Sequence, residues 1–101
     1  MCKSNVFQHV LDETSAETEV LQSVILSSDK SAETVDARYI VVKLCSRSGI
    51  YPCGIADKLG ITVRAVNHIL STFEVRISSR KMMQLNYEVI KSKCEKRSPT
   101  N

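Results

Sequence analysis

The chain has no tryptophan, only two prolines and three glycines in 101 residues, and its aromatics are limited to Phe7, Tyr39, Tyr51, Phe73 and Tyr87. A core with so few rings is mostly aliphatic, which suits a small helical bundle. Three glycines cannot make a glycine-rich phosphate loop, which excludes that mode of nucleotide binding. No apolar run approaches the roughly 20 residues of a membrane span. The opening segment MCKSNVFQHV lacks the apolar centre of a secretory signal. The cytoplasm is therefore the expected compartment. Cys2, Cys45, Cys53 and Cys94 form no C-x-x-C pair and have no histidine at ligand spacing. An even count allows two disulfides, but nothing else suggests secretion, so four reduced thiols are expected, with no metal or cofactor site, and Cys45 and Cys94 as small core hydrophobes. His9 and His68 lie in separate segments without an acid or thiol at motif spacing. No enzyme, catalytic residue or small-molecule substrate is expected.

A net charge of +3 conceals an asymmetry. Residues 1–36 hold Lys3 and Lys30 against seven carboxylates, a balance of −5; residues 37–101 hold twelve Lys or Arg against four carboxylates, a balance of +8. Basic segments favour phosphate partners, while a bare segregation of charge is also compatible with two solvated faces.

Helical spacing runs through the whole chain, which reads as one domain over residues 1–101 with a frayed basic tail from about 95. A first helix is expected from about Asn5 to Glu13. A second starts at Thr14, where TSAE matches a capping box, with Val20, Leu21, Val24 and Ile25 on its inner face. A polar link over Ser27–Ser31 precedes a long helix, about Ala32 to Arg47, whose Ala37, Ile40, Val41, Leu44 and Cys45 form a broad apolar stripe. Ser48-Gly49 ends it. A last helix runs from about Ser79 to Cys94, with Met82, Leu85 and Val89 beside Met83, Tyr87 and Ile90 on a wide apolar arc.

The segment between, PCGIADKLGITVRAVNHILS (Pro52–Ser71), reads as a helix-turn-helix. Pro52 suits a first helical turn. Ile55, small Ala56 and Leu59 make an inner face, and Gly60 supplies the left-handed residue that stops the helix. Thr62 caps a second helix expected over Val63–Phe73, with Val66 and Ile69 inward.

From about Val6 to Cys94 the chain resembles the C-terminal DNA-binding domain (domain IV) of the replication initiator DnaA, a Trp-repressor-like helix-turn-helix fold. The likeness lies in ETSAETEVL, similar to that domain's short second helix; in DARYIVVKLC, similar to its long helix with the pattern A-R-x-I-x-x-x-L; in IYPCGIADKLG, similar to its first motif helix; and in VNHI. His68 falls where the family also has histidine. The family's D-H-T-T-V signature corresponds here to Thr62, Val63, Arg64, Ala65 and Val66, of which only the core valine matches. Its basic loop before the long helix corresponds to SSDKS. The resemblance implies an all-α bundle of about six helices and a habit of binding DNA, but not recognition of the initiator's own boxes. These 101 residues contain no ATPase segment, so initiator activity by them alone is excluded.

With Val66 and Ile69 inward, Arg64, Asn67, His68 and Ser71 turn outward and Thr62 stands at the entering end. These five are the candidate base-reading residues: Arg pairs with guanine O6 and N7, and Asn with adenine N6 and N7. Arg80 and Lys81 sit in the first turn of the last helix, where the macrodipole disfavours cations and a phosphate would welcome them. With Arg76, Lys43, Arg47 and Lys58 they form the candidate phosphate contacts. Lys91, Lys93, Lys96 and Arg97 read as a solvated helix end. The partner expected is double-stranded DNA, in a transcriptional, replication or mobile-element role. One helix reads few bases, so tight binding requires a homodimer, a protein partner or an arm. The alternative is a protein-interaction module that keeps the fold and binds no DNA, with the acidic first third as its docking face.

Overall fold

The computed structural model describes the backbone of residues 3–27 and 29–97, and side chains from 5 to 94 except residue 28. Expectations for Cys2, for the side chains of Lys3, Lys96 and Arg97, and for the end of the tail lie outside the described residues. The described residues form six helices and no strand: α1 (Lys3–Thr18), α2 (Gln22–Ile25), α3 (Ala32–Arg47), α4 (Pro52–Leu59), α5 (Val63–Ser78) and α6 (Lys81–Arg97).

Helix α3 is the centre of the bundle and packs against all five others. Its Ala37, Ile40, Val41, Leu44 and Cys45 are buried as the stripe requires, and Val42 is buried as well. That near-complete burial is expected of a helix surrounded on most sides. Phe73 of α5 meets Tyr87 of α6 edge to face at 5.1 Å between centroids, a favoured aromatic geometry. Cys45, Cys53 and Cys94 are free thiols. Burial, and secondarily the neighbouring Cys94, pushes the Cys45 thiol up to about 12, so at neutral pH it is a protonated core side chain. Cys45 is fully buried and Cys94 packs against the core at its edge, which matches the role expected of both.

Three expectations require correction. The first two helices are not divided at Thr14: α1 runs straight through to Thr18, and the chain turns only at Glu19, with φ of +62°. Thr14 is no cap. It is fully buried, and its hydroxyl has no hydrogen-bond partner among the described residues. The physical reason is spacing. Phe7, Val10, Leu11 and Thr14 are all buried, which is one continuous helical face at i, i+3, i+4 and i+7, and packing of that face on α3 and α6 outweighs a local cap. The second helix shrinks to the single turn α2, where Ile25 is buried but Leu21 is 68% exposed.

Next, α5 continues five residues beyond Phe73, to Ser78. Finally, the apolar arc on α6 packs on one side only. Met83, Tyr87 and Ile90 are buried, whereas Met82, Leu85 and Val89 remain exposed, because a helix at the rim has core along one stripe.

The link before α3 is held from the side. Arg38 donates from Nε to the Ile25 carbonyl at 3.1 Å and from Nη2 to those of Ser27 and Asp29 at 2.8 and 3.3 Å. Asp29 accepts from the Ser31 hydroxyl at 2.6 Å, and these hydroxyl contacts hold its carboxyl below the usual range.

Candidate nucleic-acid interface

Helices α4 and α5 are joined by three residues with distinct tasks. Gly60 takes the left-handed conformation, φ +69° and ψ +32°, and ends α4, a geometry that carries no steric penalty for glycine. Ile61 donates its N–H back to the Ala56 carbonyl at 3.0 Å. Thr62 then opens α5, its hydroxyl oxygen accepting from the Ala65 N–H at 3.0 Å. The inner faces match the expectation: Ile55, Ala56 and Leu59 of α4 and Val66, Ile69 and Phe73 of α5 are buried.

On the other side of α5, Arg64, Asn67, His68 and Ser71 are all exposed. They recur at three- and four-residue intervals and so form one stripe, uncovered by any described element. His68 is not packed in a seam between helices. Its carbonyl accepts from the Ser71 and Thr72 hydroxyls at 3.0 and 2.8 Å. The Ser71 proton is thereby directed to the backbone, leaving its lone pairs facing solvent. The Thr62 oxygen is similarly used by the cap, leaving its proton. Arg64 and Asn67 keep the fuller donor and acceptor sets of the stripe.

The candidate phosphate contacts are divided. Lys81 is exposed at the start of α6, and Arg47 and Lys58 are exposed in the last turns of α3 and α4. Lys43 is drawn inward, 4.0 Å from Glu74 and 5.4 Å from the centre of the Phe73 ring. Arg76 and Arg80 share one carboxylate, that of Asp36 on α3. Arg76 Nε donates to Oδ1 at 2.7 Å and Arg80 Nε donates to Oδ2 at 2.6 Å. The Arg76 guanidinium also lies 5.1 Å over the Tyr39 ring, whose hydroxyl is 3.3 Å from Thr72 Oγ1.

Sequence reasoning missed Asp36 and Tyr39. Asp36 carries no local motif, and its partners lie 40 and 44 residues away, beyond the reach of any spacing rule. The charge asymmetry along the chain is also less segregated in space than in sequence. Glu13 and Glu17 pair with Lys93 at 3.9 and 3.5 Å, Asp36 takes two arginines, and Asp12 accepts from Gln8 and Gln22 at 2.8 and 2.7 Å. Much of the acidic third is thus committed within the fold rather than displayed.

Among the described residues no helix is long and apolar enough to cross a membrane, and no group of His, Cys, Asp or Glu is assembled to hold a metal ion. No protein-family model matches the chain, and no curated protein matches it significantly.

Proposed function

We propose that the chain binds double-stranded DNA through a helix-turn-helix formed by α4 and α5, with α5 entering the major groove as in DnaA-like and Trp-repressor-like domains. The observation that carries this reading is the combination at residues 60–71: a left-handed Gly60, a capping Thr62, and a following helix whose polar residues face solvent while Val66 and Ile69 are buried. Arg64 and Asn67 read base edges, with Thr62, His68 and Ser71 beside them. Arg76, Arg80 and Lys81 meet phosphates, and the exposed Arg47 and Lys58 flank the groove. The role that fits is sequence-specific regulation of transcription, a replicon or a mobile element.

The test is a titration of the protein into random duplex DNA at several salt concentrations. Affinity should fall with a log–log slope of about −0.9 for each phosphate neutralised, near −3 for three contacts. No binding at low salt would overturn the reading. A second reading, a protein-interaction module of the same fold, draws on the exposed stripe of Met82, Leu85 and Val89 on α6. It expects no DNA binding in the same titration.

A further inference from the structure

The arrangement around Asp36 carries a more particular conclusion, which rests on the DNA-binding reading above. Asp36 on α3 is only 13% exposed in its side chain, and it grips two arginines, one oxygen each, from the end of α5 and the entry to α6. Both are held through Nε alone; among the described residues no hydrogen bond engages the terminal nitrogens of either guanidinium. Each guanidinium has five N–H donors, so each retains four beyond that bond. The Arg76 and Arg80 side chains are 28% and 38% exposed, so both remain accessible from solvent. The carboxylate, Arg80 and Lys81 line a cleft of about 320 Å³ that opens beside Ser79, Met82 and Met83. Arg80, Lys81 and Asp36 leave a net charge of +1 along the lining of this cleft, and Arg76, held on the other oxygen of Asp36, adds a further positive charge beside it.

We propose that Asp36 is a positioning residue, which presents Arg76 and Arg80 as a paired clamp for a phosphodiester of the DNA backbone. A free arginine loses much rotamer freedom when it binds a phosphate, whereas one already fixed through Nε loses little. A planar fork set in advance engages phosphate oxygens bidentately. Asp36 thus weakens the local positive field by one charge and in exchange fixes the direction of two forks.

These two effects have opposite signs, which makes the proposal testable. Asp36→Asn raises the net charge by one, and charge alone would tighten DNA binding. Positioning expects the opposite: affinity for a random duplex at low salt weaker by about tenfold, a change of about 1.4 kcal/mol. The salt slope should become shallower as one or both forks cease to dock. A fold defect alone would lower the fraction of active protein, seen by stoichiometric titration, without changing that slope. Asp36→Glu should recover part of the affinity. If Asp36→Asn fails to fold, Arg80→Lys decides, since it keeps the charge but loses the Nε that Asp36 holds; positioning expects a similar loss and charge alone expects none. Wild-type binding that stays equal or tightens in these variants overturns the clamp and leaves the DNA reading intact. Absence of wild-type binding overturns both.

Discussion

The two ends of α5 treat their polar side chains in opposite ways. Around its N-terminal half, Arg64, Asn67 and His68 are exposed, and no side chain from another helix holds them among the described contacts. At its C-terminal end, Arg76 is pinned with Arg80 to Asp36 and laid over Tyr39. The first end is adaptable and the second is fixed in advance. On a DNA duplex that difference has a use. Phosphate spacing hardly varies with sequence, so a rigid anchor fits everywhere, whereas base edges differ and reward side chains that can settle. In the proposed DNA complex the fixed end would set register and the loose end would read.

The largest expected effect is at the fixed end. Replacing both Arg76 and Arg80 by alanine strands a largely buried carboxylate, at a cost of about 1–3 kcal/mol in stability, and makes the salt slope shallower by about 2. Urea unfolding and salt-dependent titration measure the two. At the loose end, Arg64→Ala should cost about 1–3 kcal/mol of affinity on a preferred site and relax the choice of one base, with the melting temperature unmoved; equal loss on all sequences would reassign Arg64 to phosphate and blur the contrast. At the very start of α5, Thr62→Ala removes the helix cap and should cost about 1 kcal/mol of stability, read by chemical denaturation. Thr14→Val is the smallest. The unpartnered buried hydroxyl is removed at constant shape, so stability should hold or rise slightly, whereas a true cap would lose about 1 kcal/mol.

Where local chemistry and packing agree, the residues were sufficient guides. The ends of α3 and α4 fall where their apolar stripes and Gly60 place them, and α5 starts at the cap expected of Thr62. At Thr14 the two disagree. TSAE satisfies the local rule for a helix start, yet the same threonine continues the stripe of Phe7, Val10 and Leu11, and the longer-range packing prevails. The extension of α5 to Ser78 was hidden for a related reason: Arg76 belongs to the helix and is tied to Asp36, a partner 40 residues earlier in the chain. On α6, spacing alone could not separate Met83, Tyr87 and Ile90, which pack, from Met82, Leu85 and Val89, which do not. Of the candidate site, the outward stripe was readable because burial of Val66 and Ile69 forces it. The anchor was not, since charges brought together by the fold leave no local pattern.

The most direct test is to map the contact surface by amide chemical shifts as random duplex DNA is added to isotope-labelled protein at low salt. The shifts should concentrate on residues 62–71 and 76–82, with α1 and α2 quiet. Shifts confined to α1 and α2, or none at all, would contradict it.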